Sequence, residues 1–142
     1  MADAKNKIFI FIHAIWFVRD LNKQLSNPIR KVLFSHIEKD SASNGIRILE
    51  VNGSDDHVHA LVQLLPAQNL AQVMNRMRTS SAEWLNETKF LKEEFAWSEE
   101  FAAYSVSPTG VKSVADYIRR QEEHHRTKSL ADELKIFDDY HF

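Results

Sequence analysis

The run from Ile8 to Val18, IFIFIHAIWFV, constrains the chain more than any other stretch. It is β-branched and aromatic, and only His13 and Ala14 depart from large apolar side chains. A run of this kind reads as a central strand with both faces partly buried. It is far too short to cross a bilayer, and no signal peptide is visible. The expectation is therefore a cytoplasmic protein with no membrane partner.

The remaining pattern supplies what a central strand needs. Asn27-Pro28 opens a helix, with Asn27 as cap and Pro28 at the first helical position. Ile29, Val32, Leu33, His36 and Ile37 form its inward stripe, and Asn44-Gly45 ends it. Ile46–Val51 alternates as a strand, with Ile46, Ile48 and Glu50 on one face and Arg47, Leu49 and Val51 on the other. A turn at Asn52–Asp55 leads into a second strand, Asp56–Leu65, so the two form an antiparallel hairpin. A helix follows over Asn69–Asn86, then a last strand near Ala102–Ser107. Val111–Arg126 is a further helix, and Ser129–Phe137 a short terminal one capped by Ser129, with Asp132 near its positive end. This order predicts an α+β, ferredoxin-like fold (split βαβ, RRM-like). Its antiparallel sheet carries helices on one face, plus a C-terminal helix.

A length of 142 residues fits one domain over 1–142. With no cysteine, disulfides, thiolate chemistry and cysteine-ligated zinc are excluded. The net charge of −2 argues against a protein that coats nucleic acid indiscriminately. A local basic patch remains open, with Arg76, Arg78, Arg119, Arg120 and Arg126 as its members.

Two features carry chemistry. His57-Val58-His59 lies on a strand, where residues two apart share a face, so both imidazoles project together while Val58 turns to the core. They are either two polar-face histidines or a pair that shares one divalent metal. Tyr117 and Gln121 are one helical turn apart. Tyr117 is a packing tyrosine or a nucleophile, and Gln121 offers an amide oxygen that a hard ion accepts. A phenol with a pKa of about 10 needs a polarised target, which a metal held by two histidines and an amide oxygen supplies.

Taken together, these segments resemble the HUH single-tyrosine transposases, small enzymes of the simplest bacterial insertion sequences and their domesticated relatives. The signature is His57-Val58-His59 within Asp56–Val62. The first-strand pattern His-x-x-Trp stands as His13-Ala14-Ile15-Trp16, and the aromatic segment as Phe95-Ala96-Trp97 with Ala103–Ser107. The nucleophile helix stands as Tyr117–His125. The likeness spans about residues 8 to 130. Two stretches depart from the family pattern: Phe17-Val18-Arg19-Asp20 after Trp16, and Ser98–Ala103, which lacks the family's glutamine and glycines.

The resemblance implies a transposase that cuts and rejoins single-stranded DNA with hairpin ends through a 5′-phosphotyrosine. Tyr117 would attack, and His57, His59 and Gln121 would hold Mg2+ or Mn2+. It implies a homodimer with composite active sites, the histidines of one subunit serving the tyrosine helix of the other. Arg76, Arg78, Arg119 and Arg120 are candidates for DNA contact, and Gly110 for a hinge before the tyrosine helix. His13 is expected to support the site rather than ligate metal. His124 and His125 favour the negative end of their helix, and Trp16 and Trp84 the core. Two alternatives stand beside this reading. One is a domesticated relative that processes genomic palindromes. The other is a non-catalytic module that binds single strands through sheet aromatics.

Overall fold

A computed structural model describes residues 6–121 and 129–139. The elements run β1 (Ile10–Val18), α1 (Asn27–Ser43), β2 (Arg47–Gly53), β3 (His57–Leu64), α2 (Leu70–Thr88), β4 (Trp97–Val106), α3 (Val111–Arg119) and α4 (Leu130–Asp138). The four strands form one antiparallel sheet in the order β2-β3-β1-β4. The apolar run of β1 is thus central, paired with β3 on one side and β4 on the other.

Strand alternation sorts the side chains of β1 and β3 between two layers. Ala14, Trp16 and Val18 of β1 join Val58, Ala60 and Val62 of β3 in the larger core. Leu33 and Ile37 of α1 and Val73, Met74, Met77 and Leu85 of α2 close that face. The opposite face carries Phe11 and Leu61, packed against Ile118 of α3 in a smaller cluster. His13, His57 and His59 share this second face by parity, since His13 pairs with Leu61, Ile15 with His59 and Phe17 with His57. The helices expected on one face are α1 and α2. The tyrosine helix covers the other.

Two polar groups inside the larger core, Ser81 and Trp97, are matched to each other. Ser81 donates its hydroxyl hydrogen to the Met77 carbonyl at 2.6 Å and accepts the Trp97 indole N–H at 3.0 Å. Ser81→Ala leaves that buried indole donor unmatched. Chemical denaturation is expected to register a loss of about 1–3 kcal/mol, with the fold kept. A change below 0.5 kcal/mol would show that the indole finds another acceptor.

Several boundaries differ from the sequence reading, each for a physical reason. Asn27 is the first residue of α1 and Ser26 its cap position, although Ser26 makes no side-chain cap bond. A bulge in β2 between Ile48 and Glu50 reverses its alternation. Ile48 opposes Val62 and Val51 opposes Ala60, so both serve the larger core, while Glu50 opposes Leu61 on the site face. The hairpin strand extends through Asn52 and Gly53. β4 begins at Trp97, five residues before Ala102, because polar Ser98, Glu99 and Glu100 occupy a sheet edge that tolerates them. Finally, α3 stops at Arg119 rather than running to Arg126. His124, His125 and Arg126 lie outside the described residues.

Candidate metal and nucleophile site

β3 places His57 and His59 on the site face, both fully buried. Each ring has a partner on the nitrogen that points away from the centre. His57 Nδ1 lies 2.6 Å from an Asp56 carboxylate oxygen. His59 Nδ1 lies 2.7 Å from Nε2 of His13, which is also buried. A hydrogen on each Nδ1 satisfies these bonds, and each Nε2 can offer its lone pair to a metal when it gives up the proton directed at Glu133. His13 thus supports His59, as expected, across the β1–β3 pair.

A carboxylate that the sequence reading missed completes the cluster. Glu133 of α4 is fully buried, with Oε1 2.6 Å from His59 Nε2 and 3.5 Å from His57 Nε2. The other oxygen, Oε2, accepts from Gln121 Nε2 at 3.2 Å and from the Tyr117 hydroxyl. One donor atom each from His57, His59 and Glu133 lies within 4.8 Å of the others, a group that could hold a metal ion. Two imidazole nitrogens and a carboxylate oxygen suit a divalent first-row cation. The available signal was spacing. Leu130, Glu133, Leu134 and Phe137 stand at i, i+3, i+4 and i+7, which puts an acid on the apolar stripe of a helix.

Tyr117 is half-buried on α3, its ring 6.1 Å from that of His59. Gln121 reaches the cluster by a different route from the one expected. The helix ends at Arg119, and Arg120 at its cap has φ −98° and ψ 23°, so Gln121 does not continue the helical face of Tyr117. Its side chain is nonetheless fully buried, with Oε1 3.4 Å from His57 Nε2. Tyr117, His57, His59 and Gln121 therefore meet at one point, and a single chain supplies them all.

The electrostatics fit a site that attracts positive charge. Burial alone would lower the His57 pKa, but hydrogen bonds to Asp56 and Glu133 and their charges outweigh it and raise it to about 9. Burial and the neighbouring His59 lower His13 to about 3, so it is the neutral member. Burial and the Glu133 carboxylate push the Tyr117 phenol well above its ordinary value, opposed by Gln121. Without a cation in the cluster, the hydroxyl keeps its proton.

The arginines named for DNA contact are mostly engaged within the chain. Arg76 pairs with Asp40 at 2.7 Å. Arg78 donates to the Ser98 and Glu99 carbonyls and stacks over Phe101 at 4.8 Å. Arg119 bridges Glu50 and Asp116. Arg120 is exposed. Gly110 ends a short 3-10 turn, Pro108–Gly110, with an ordinary φ of −95°. Trp16 and Trp97 are buried in the larger core, and Trp84 stacks on His36. None of the three faces the histidine pair.

The site thus consists of paired histidines on a four-stranded antiparallel sheet, beneath a tyrosine-bearing helix. The chain belongs to the IS200-like transposase family, whose model matches residues 8–121. Its fold is similar to that of a protein from Deinococcus radiodurans R1 described as a candidate transposase. The TM-score is 0.67 at 18% identity, covering 82% of this chain and 94% of that one. It is also similar to a REP-associated tyrosine transposase bound to a REP hairpin. There the TM-score is 0.61 at 14% identity, covering 84% of this chain and 72% of that one. No curated protein matches the chain significantly. Among the described residues, no helix is long and apolar enough to cross a membrane.

Proposed function

We propose that this transposase cuts and rejoins single-stranded DNA, with Tyr117 as the attacking residue. The observation that carries the proposal is the convergence of the Tyr117 hydroxyl and the two buried histidines on Glu133. In the forward step the Tyr117 oxygen bonds to phosphorus and the bond from phosphorus to the 3′ oxygen breaks. Tyr117 gives up its hydroxyl proton, the departing 3′ oxygen takes one up and leaves as a hydroxyl, and the 5′ phosphate stays on the tyrosine as an ester. That exchange conserves the number of phosphate ester bonds, so a free 3′-OH can reverse it and join strands.

His57 and His59 would hold Mg2+ or Mn2+, with the Gln121 oxygen beside them. The ion supplies positive charge that polarises a phosphoryl oxygen. Asp56 and His13 keep both rings aimed, and the buried sheet face excludes water from them. Hairpin DNA is proposed as the substrate, supported by the family and by the REP hairpin held by the similar transposase. A homodimer is part of the same proposal; the composite site implied by the resemblance, with α3 serving the partner's histidines, would be an exchanged form of the single-chain cluster seen here. The alternative substrate is a dispersed genomic palindrome, processed by a domesticated relative with the same residues.

The test is covalent trapping. Labelled single-stranded hairpin oligonucleotides are mixed with the protein, with and without manganese, and resolved under denaturing conditions. A denaturant-resistant adduct that needs manganese is expected. Tight binding of the same oligonucleotides with no adduct would favour a binding module. His59→Ala is expected to lower adduct formation about 100-fold or more, because it removes a ligand and leaves Glu133 facing a cavity. Trapping yield against manganese concentration checks this.

A further inference from the structure

The terminal helix is an unusual place for a buried acid. Among the described residues of α4, only Leu130 and Glu133 are fully sequestered. Phe137 adds ring contacts with His13 at 4.8 Å and Tyr117 at 5.4 Å. Asp138 accepts from the Tyr104 hydroxyl at 2.7 Å. The helix start is fixed by a reciprocal cap between Ser129 and Asp132. Among the described residues these contacts dock the helix, and the burial of Glu133 costs free energy, because a carboxylate taken out of water must be compensated by charge. The two oxygens of Glu133 divide the task. Oε1 turns to both histidine Nε2 atoms, while Oε2 stays with Tyr117 and Gln121.

We propose that Glu133 is the third protein ligand of the divalent ion, and that ion binding thereby locks α4 over Tyr117. This rests on the metal-dependent reading above and goes beyond it by giving the terminal helix a part in the site. Gln121 is then a positioning residue: its Nε2 donates to Glu133 Oε2 and sets which oxygen faces the histidines. Linkage makes the coupling reciprocal. The factor by which a docked α4 tightens ion binding equals the factor by which the ion tightens docking.

The experiment uses the full chain without DNA and two readouts, Mn2+ affinity by calorimetry and hydrogen exchange of the α4 amides. Wild type is expected to bind Mn2+, and the ion to slow α4 exchange about tenfold or more. Glu133→Gln keeps the shape and removes the charge. It is expected to weaken Mn2+ binding by about the same factor and to abolish the added protection. Leu130→Ala loosens α4 without touching a ligand, and is expected to weaken Mn2+ several-fold while speeding exchange. It keeps the test open if Glu133→Gln fails to fold. Equal Mn2+ affinity in Glu133→Gln and wild type, with binding lost in Gln121→Leu, would assign the third position to Gln121 and overturn the proposal. So would a Leu130→Ala protein with faster α4 exchange and unchanged affinity. Failure of wild type to bind Mn2+ at all would instead remove the metal-dependent reading beneath it.

Discussion

Tyr117→Phe is expected to reduce the covalent protein–DNA adduct to less than about one-thousandth of wild type. The change removes one oxygen. The ring keeps its contacts with Phe137 and His59, and Ile118 still anchors α3 on Phe11 and Leu61. Glu133 keeps His59 and Gln121 as partners, so the loss of stability is expected to be about 1–3 kcal/mol, the cost of one hydrogen bond to a charged acceptor. Hairpin binding and Mn2+ affinity should persist. Gel resolution of the trapped adduct, with calorimetry on the same preparation, checks all three. An adduct that survives would redirect attention to Tyr104, whose hydroxyl sits on Asp138 and whose ring lies 6.4 Å from that of His13.

The second large effect is expected at Gly53, far from any chemistry of its own. A methyl group there would lie 2.2 Å from the His57 carbonyl oxygen and 3.0 Å from Val58 Cα. Both are backbone atoms of β3, so no flexible side chain can move aside. Gly53→Ala must therefore push the end of β2 away from β3 beside His57, the first of the two proposed metal ligands on that strand. Overpacking of this kind costs about 3 kcal/mol. The displaced His57 is expected to weaken Mn2+ binding more than tenfold, since ligand geometry must hold within about 0.5 Å. Thermal unfolding and Mn2+ calorimetry measure the two parts separately. Full stability with full affinity would mean that the hairpin end yields without disturbing His57.

How much of this was legible in the sequence depended on how local the cause was. The central strand was legible because Ile8–Val18 has no polar periodicity, and β1 pairs on both sides. The fifth element, α2, was close because its cap is encoded beside it: Asn69 accepts from the Gln72 amide. The shared face of His57 and His59 followed from strand parity alone. The bulge in β2 was not legible, because Ile46–Val51 alternates cleanly and only the pairing partner reveals the extra residue. Nor was the end of α3, where Arg119-Arg120-Gln121 carries no glycine or proline to mark a stop. Glu133 was missed because the two histidines it faces are 74 and 76 positions away in the chain. The acid on an apolar stripe was visible, but what it faced was not.

The two-sided sheet has a consequence for how this chain tolerates change. Faces of a sheet are separated by about 10 Å from what packs on them, and side chains on opposite faces share no partners. Substitutions in the α1–α2 layer and substitutions beneath α3 should therefore combine as simple sums of free energy, within about 0.5 kcal/mol. Stability gained in the first layer can offset losses incurred while the second is altered. The β1 and β3 strands thus let one layer act as a reserve against which specificity on the other can drift.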